Sequence, residues 1–418
     1  MNVATLSVVA LIIAIVLSCV TSLNVGIVAV ALAWIVGVYA GGMSVNAVMA
    51  GFPGQLFLTL AGVTLLFTLA QGNGTLDRLA HHAVRLCRGN RGVVPVMFFL
   101  LAAGLASIGP GNIATAAIMA PMAMATAGRM AIPGFLMAIM VGNGANAGSL
   151  SPFAPTGIIV TGLMARNGLA GYEWQTYLYA LAAHALVAFS GYFLFGGLKL
   201  FAGSKASDDV DPLPEEGGAF ERPHVITLAV IALLIVSVIV FQVNIGMAAF
   251  AGAVVLVLLK CGDDREAIRK MPWNVIVMVC GVTVLIAVLE KAEGIDLIVS
   301  ALSRFATPTL ATAEVAFLTG IVSVYSSTSG VVLPAFLPMV TGLASQIGGV
   351  TPFALATSMN VGGHLVDVSP LSTIGALCIA GAPASEDTRA LFNKLLAWGL
   401  AMCVVGALVC WLLFARTG

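Results

Sequence analysis

The residues of this chain best suited to chemistry are polar groups embedded in long apolar stretches. His364 and Asp367 are the most unusual of them, because both are ionisable and they lie three residues apart in a glycine-rich segment. An ionisable side chain in such surroundings indicates a functional site, since burying a charge in an apolar environment is costly. His364 could donate a hydrogen bond to a carboxylate, and Asp367 could hold Na⁺ or a proton. The alternatives are a local Asp–His pair that orders the loop, or a position at the water edge.

Four segments rich in Gly, Pro, Asn, Ser and Thr interrupt the apolar sequence. They are Gly109–Asn112, Asn143–Pro152, Ser326–Gly330 and Asn360–Pro370. Where a helix breaks, amides at its N-terminal end attract anions, while free carbonyls coordinate cations. Four such breaks therefore predict a site for an anion with small cations beside it. No Lys or Arg occurs within them, so co-bound Na⁺ or protons would have to balance a dianion.

The side chains at these breaks are our candidate ligands. The predicted substrate-binding residues are Asn112, Asn146, Ser327, Thr328, His364, Ser369 and Thr373. The predicted cation-binding residues are Asn112, Asn143, Ser149, Ser326, Ser329, Asn360 and Asp367, with Na⁺ as the suspected coupling ion. Any one of the neutral side chains could instead serve as an ordinary hydrogen bond between membrane helices. Their clustering favours a site, and we predict no catalytic residue and no other cofactor.

The composition defines the environment of these breaks. The chain of 418 residues is 60% hydrophobic and 9% charged, and its mean hydropathy is +1.06. Soluble domains contain about 25% charged residues, so this chain has too little polar surface to face water. We therefore expect a multi-pass protein of the inner cell membrane. The net charge of zero argues against a nucleic-acid partner.

The two halves of the chain resemble each other. Gly62 begins a Gly-Val-Thr triplet that recurs at Gly281, and Ser151 begins a Ser-Pro pair that recurs at Ser369. We count five spans per half, and an odd number of crossings inverts the second copy. The predicted fold is an all-α integral membrane protein of two inverted-topology repeats, a duplication typical of secondary transporters. The predicted domains are repeat 1 (1–200), a cytoplasmic linker (201–224) and repeat 2 (225–418).

Each repeat should also contain one re-entrant hairpin and one broken helix. The hairpins are predicted at about 93–127 and 312–346, because each of their arms is too short to cross a bilayer comfortably. The broken fourth helices are predicted at about 132–165 and 351–381. Irregular backbone is tolerated at membrane depth only beside protein or a watery cavity. Charged amphipathic segments at Thr75–Arg91 and Gly294–Arg304 suit helices that lie along the interface.

The distribution of basic residues predicts the orientation. With the N-terminus outside and five crossings per repeat, most of the 18 Lys and Arg residues fall on the cytoplasmic side. Both termini should then lie outside. The first hairpin should enter from the cytoplasm, and the second from the opposite side.

This pattern resembles the divalent anion:Na⁺ symporters of the ion transporter superfamily. The opening MNVATLSVVALIIAIVLS and the break NGANAGSLSPFAPTGI are most similar to MatC-type malonate and C4-dicarboxylate carriers. In the symporter family each hairpin tip carries a Ser-Asn-Thr motif that contacts the substrate carboxylate and Na⁺. Asn112 fits the Asn position of the first tip, which lacks the two hydroxyls, and Ser327 with Thr328 fits the second tip. The resemblance also implies a homodimer and an elevator motion.

The leading prediction is a cation-coupled importer of small dicarboxylates, with Na⁺ or H⁺ as the coupling ion. A dicarboxylate exchanger, or a proton symporter that uses His364 and Asp367, is the alternative. An intramembrane enzyme is remote, because no HExxH motif and no clear Ser–His dyad occurs and catalysis does not explain the duplication. A channel is disfavoured because paired hairpins around a closed site suit alternating access.

Overall fold

The computed structural model describes residues 2–21, 23–85, 90–202, 219–304, 306–383 and 385–414. Within these ranges every regular element is helical and no strand occurs, which confirms the all-α class. Seven helices of the described chain are long and apolar enough to cross a membrane, and several shorter helices are also apolar. The protein therefore has the architecture of a multi-pass membrane protein. Most of the predicted linker, residues 203–218, lies outside the described ranges.

The described part of the first half of the chain, up to residue 202, contains nine main helices. They are α1 (Val3–Val20), α2 (Val25–Trp34, extended by a π-helical turn at Ile35–Ala40), α3 (Gly54–Gly72), α4 (Thr75–Arg85), α5 (Val93–Ser107), α6 (Gly111–Arg129), α7 (Gly134–Ser149), α8 (Pro155–Arg166) and α9 (Glu173–Leu194). Helices α5 and α6 form the first hairpin, and α7 and α8 form the first broken helix. Short helices at Val45–Met49 and Lys199–Ala202 connect or follow them.

The described part of the second half of the chain has main helices in a similar order. Its main helices are α10 (Arg222–Phe241), α11 (Ile245–Leu258), α12 (Trp273–Lys291), α13 (Gly294–Ser303), α14 (Ala311–Tyr325), α15 (Val340–Ile347), α16 (Pro352–Leu365), α17 (Thr373–Ala380) and α18 (Thr388–Phe414). The tip of its hairpin is more irregular than the first tip. A π-helical turn (Thr328–Val332), a short helix (Leu333–Phe336) and a 3₁₀ turn (Leu337–Met339) separate α14 from α15.

Glycines join the two halves of the chain by a pair of close helix contacts. A Cβ atom added to Gly62 of α3 would lie 2.4 Å from the carbonyl oxygen of Gly246 in α11. A Cβ atom added to Gly281 of α12 would lie 2.2 Å from the carbonyl oxygen of Gly26 in α2. Small residues allow such close backbone approach between membrane helices. Helix α3 of the first half thus packs on α11, and α12 of the second half packs on α2.

Within each half of the chain, a glycine also joins the hairpin to the broken helix. A Cβ atom at Gly144 of α7 would lie 2.5 Å from the carbonyl oxygen of Phe99 in α5. The equivalent atom at Gly362 of α16 would lie 2.2 Å from the carbonyl oxygen of Ala316 in α14. The first arm of each hairpin is therefore held directly against its broken helix. These contacts fix the positions of the hairpin tips.

The amphipathic helix α4 contacts the end of the linker. Arg78 of α4 pairs with Glu221 at 3.1 Å, and the ring of His82 packs against Phe220. Exposed ion pairs contribute little free energy, so this contact mainly sets where the chain enters α10. His224 reinforces the entry, because its Nε2 bonds the carbonyl oxygen of Asn73 at 3.0 Å.

Candidate functional site

The first broken helix breaks later than the sequence predicts. Helix α7 continues without interruption through Asn143 and Asn146 to Ser149, and α8 begins at Pro155. Asn143 does not free the backbone, because its Nδ2 donates to the carbonyl oxygen of Ile139 in its own helix at 2.8 Å. The glycines between these residues serve close packing against α5 instead. The prediction that the break begins at Asn143 is therefore wrong.

The second broken helix is also continuous further than predicted. Helix α16 includes both Asn360 and His364, and a 3₁₀ turn at Val366–Val368 follows it. Asp367 lies in that turn, and the next helix, α17, starts at Thr373. Both breaks therefore begin after the buried asparagines rather than at them.

A cavity of about 290 Å³ lies where the two hairpin tips approach each other. The first tip lines it with Gly109–Asn112, and the second tip contributes Ser329. The remaining polar lining comes from α3, the first turn of α8 and the segment before α12: Thr64, Thr68, Gln71, Thr156 and Lys270. The predicted ligands Asn112 and Ser329 thus share one cavity although they lie in different halves of the chain.

Two helix N-termini open into this cavity. Helix α6 begins at Gly111 and α8 begins at Pro155, and neither has a side-chain cap at its N-terminus. Uncapped first-turn amides and the helix dipole attract negative charge. No carboxylate occurs among the described residues that line the cavity. The arrangement therefore favours an anion.

Glycine at the first tip makes this arrangement possible. Gly109 and Gly111 have φ angles of +143° and +76°, which residues with a Cβ atom rarely adopt. A Cβ atom at Gly109 would also lie 1.9 Å from the ring of Phe67, and one at Gly111 would lie 2.9 Å from Cδ of Pro155. The tip can therefore turn sharply against α3 and bring the start of α6 beside the start of α8.

Asn112 connects the first tip to the first broken helix. Its Nδ2 donates to Oδ1 of Asn146 at 2.9 Å, and its own Oδ1 accepts from the amide of Ile113 at 3.0 Å. Asn146 is fully buried, and its Nδ2 has no hydrogen-bond partner. A buried amide hydrogen without an acceptor is costly, so this pair is suited to a ligand that accepts hydrogen bonds.

Oxygen atoms converge at the second tip. The Oγ1 atom of Thr328 donates to Oδ1 of Asp367 at 2.7 Å and lies 3.3 Å from the carbonyl oxygen of Gly363. The hydroxyl of Ser323 donates to the same carbonyl at 2.9 Å and also contacts the Thr328 hydroxyl. A carboxylate, two hydroxyls and a carbonyl are the oxygen ligands that hard cations prefer. Sequence reasoning missed Ser323 because it lies inside α14, before the break.

Lys270 is the cation that the structure adds to the site. It ends the short helix Asp264–Lys270 and lines the cavity, although no basic residue occurs in the four breaks. Its Nζ pairs with Glu266 at 2.6 Å, and this hydrogen bond lowers the pKa of the Glu266 carboxyl below its ordinary value. Sequence reasoning counted Lys270 only among the basic residues of the cytoplasmic side. Its proximity to a hairpin tip far away along the chain leaves no local signal.

Three of the predicted ligands outside the cavity lining lie at the ends of the broken helices. Ser149 is fully buried, and its hydroxyl donates to the carbonyl oxygen of Asn146 at 2.7 Å. Ser369 is fully buried against Gly399 of α18. Thr373 is the exposed first residue of α17, where Ser372 provides the cap. These side chains shape the ends of the broken helices in this structure.

Two further predicted ligands precede Thr328 at the second tip. Ser327 precedes the π-helical turn, and its Oγ accepts from the amide of Gly330 at 3.2 Å. Ser326 ends α14 in an extended conformation and is half-buried. Both lie next to Thr328, so they adjoin the oxygen cluster at this tip.

The remaining predicted ligands form a buried cluster between α7, α9 and α16. The Oδ1 atom of Asn143 lies 3.0 Å from Nδ1 of His184, and Nδ2 of Asn360 contacts the sulfur of Met164 at 3.9 Å. His364 uses its Nδ1 to contact the carbonyl oxygen of Asn360 at 2.8 Å. His364 therefore bonds within its own helix while Asp367 bonds Thr328, so a local Asp–His pair does not form.

The comparisons with known proteins agree with a carrier. Residues 1–149 match the family model described as the N-terminus of the dicarboxylate carrier protein MatC. The matched segment runs from α1 to the end of α7 and includes the first hairpin with Asn112. No curated protein sequence matches the chain.

Two solved structures share this fold. The YdaH transporter of Alcanivorax borkumensis matches with a TM-score of 0.61 and 15% identity, over 87% of this chain and 86% of that one. MtrF of Neisseria gonorrhoeae, described as illuminating a class of antimetabolite efflux pumps, matches with a TM-score of 0.59 and 12% identity, over 98% and 94%. Identities this low establish the fold alone. Together with the carrier-family match, these neighbours point to a membrane transporter and not to an enzyme.

Proposed function

We propose that the protein is a cation-coupled secondary transporter that imports small dicarboxylates such as malonate or C4 acids. The observation that carries this proposal is the cavity between the hairpin tips. Two uncapped helix N-termini and the amide of Asn112 line it, and no described lining residue is a carboxylate. Fixed amide dipoles in a confined space stabilise an anion more strongly than water-exposed ones.

The size of the cavity favours a small solute. Its volume of about 290 Å³ is at the lower end of the range typical of ligand sites, roughly 300–1,000 Å³. Malonate and C4-dicarboxylates are short chains with an acceptor group at each end. One carboxylate would bind at the starts of α6 and α8, beside Asn112 and Thr156.

The oxygen cluster at the second tip is the proposed cation site. Thr328, Asp367, Ser323 and the carbonyl oxygen of Gly363 offer four oxygens within one small region. Na⁺ is the leading coupling ion because hydroxyl and carbonyl oxygens suit hard cations. A cation there would offset the charge of a dianion carried through the membrane.

An elevator motion would explain why hairpins and broken helices pack so tightly. Gly144 on Phe99 and Gly362 on Ala316 join each hairpin to its broken helix into one body. In the proposal this body carries substrate and cation past the other spans. We also propose a homodimer, which the carrier resemblance implies, and a location in the inner membrane.

Uptake into proteoliposomes tests the function. Purified protein would be reconstituted and supplied with radiolabelled malonate, or succinate in parallel, under an inward Na⁺ gradient, an inward H⁺ gradient or neither. We expect uptake that requires Na⁺. Uptake driven by H⁺ alone would favour proton symport, and exchange against internal dicarboxylate without any gradient would favour an antiporter. No transport of either acid under any condition would refute the substrate class.

A further inference from the structure

Lys270 stands out because it brings a positive charge to an otherwise uncharged cavity. Among the described residues that line the cavity, it is the only one with a charged side chain. Asn112 and the uncapped starts of α6 and α8 provide neutral hydrogen-bond donors instead. The cavity therefore has two distinct anion-attracting features, one built from amides and one from an ammonium group.

A single carboxylate does not need both features. The amide donors around Asn112 can satisfy one carboxylate group, as helix N-termini do for many anions. A monocarboxylate would leave Lys270 unused, whereas a dicarboxylate carries a second group that requires a cation or water. The ammonium group of lysine is a compact charge on a flexible stem, so it can reach carboxylates at different distances.

Lys270 already has a carboxylate partner that substrate could replace. Its Nζ lies 2.6 Å from Oε1 of Glu266, one helical turn earlier, and both side chains are about half exposed. Exposed pairs of this kind are weak, because water and salt screen them and their side chains lose rotamer freedom. A substrate carboxylate would thus replace the Glu266 carboxylate, so that one ion pair of Lys270 is lost and another of the same kind forms.

We propose that Lys270 binds the second carboxylate of the substrate and sets the preference for dicarboxylates over monocarboxylates. The carboxylate of Glu266 competes with the substrate for Lys270. This inference rests on the proposed function. When no substrate is present, Glu266 occupies the ammonium group of Lys270, and a substrate carboxylate has to displace it. Substituting the two partners should therefore change affinity in opposite directions, which a merely structural ion pair would not produce.

The test compares three variants by binding and transport. Lys270→Gln should weaken malonate and succinate about 3- to 10-fold and leave the weak binding of acetate or propionate unchanged. Glu266→Gln should tighten the dicarboxylates about 2- to 3-fold. The matched control is Lys291→Gln, because Lys291 donates to the carbonyl oxygen of Ala47 and is not a lining residue. It should leave both classes of acid unchanged.

The outcomes separate this inference from the proposed function. If the unmodified protein transports dicarboxylates and Lys270→Gln binds them equally well, the role of Lys270 is refuted while the function stands. Equal weakening in Lys270→Gln and Glu266→Gln would also refute it, because the pair would then act only as structure. If the unmodified protein binds no dicarboxylate, the proposed function itself fails. Melting temperature and size-exclusion profile of each variant exclude misfolding as the cause.

Discussion

Asn112→Ala is the most direct test of the cavity, because this side chain lies in the cavity and holds the first broken helix. Its Nδ2 carries two hydrogens and donates one to Oδ1 of Asn146 at 2.9 Å. The second hydrogen is available for a bound carboxylate. The substitution removes both donors and leaves the fold of α6 intact, since alanine is a good helix former.

The expected magnitudes follow from these two bonds. A hydrogen bond to a charged group contributes about 1.5–3 kcal/mol, so its loss should raise the apparent KM for malonate about 10- to 150-fold. The buried Oδ1 of Asn146 would also lose its partner, and its Nδ2 has none. We therefore expect the free energy of unfolding to fall by about 1–3 kcal/mol.

The assay is initial-rate uptake of radiolabelled malonate against concentration, with thermal unfolding of the same preparations. The control is Asn167→Ala, which removes an asparagine at the far end of α8 whose Nδ2 donates to the carbonyl oxygen of Leu163 at 2.8 Å. It should leave KM unchanged. An unaltered KM in Asn112→Ala, with a stable protein, would show that the substrate does not bind at this tip.

Three further predictions address the proposed cation site, the packing of α7 on α5 and the charge of Lys270. Asp367→Asn should change the dependence of uptake on Na⁺ more than maximal binding of substrate, because it removes the carboxylate bonded to Thr328; unchanged Na⁺ and pH dependence would assign Asp367 to structure. Gly144→Ala should destabilise the protein by about 1–3 kcal/mol, because its Cβ atom would lie 2.5 Å from the carbonyl oxygen of Phe99. Gly104→Ala, where no atom lies within 4 Å, should instead be neutral or stabilise by up to about 1 kcal/mol, and equal melting temperatures for the two would contradict the packing argument. Malonate uptake should weaken at high ionic strength in the unmodified protein and less so in Lys270→Gln, because salt screens an exposed ammonium group. Identical salt profiles would count against a role for the charge of Lys270.

The elements around the site were largely predictable because they follow from local patterns. Apolar runs of about 20 residues predict spans, and Gly-Pro-Gly at the first tip predicts a turn that only glycine can adopt. Duplicated motifs such as Gly62 and Gly281 pointed to equivalent positions in two repeats. The structure then shows these glycines at equivalent helix contacts.

The exact breaks were not predictable in the same way. Glycine and asparagine favour turns in isolated sequence, so Asn143 was expected to start a break. In the folded protein α5 packs on Gly144, and Asn143 bonds within its own helix. Tertiary packing overrode a local preference that amounts to about 1 kcal/mol per residue.

The sequence by itself determined the membrane class, the helical fold and the polar segments that form the hairpin tips. These properties depend on composition and on neighbours along the chain, where apolar burial and backbone geometry act locally. Only the tertiary structure decided that Asn112 meets Asn146, that Ser323 joins Thr328 and Asp367, and that Lys270 lines the cavity. Such contacts depend on how helices that are distant in the sequence pack together. The residues that neighbour Lys270 in the sequence therefore do not reveal that it lines the cavity.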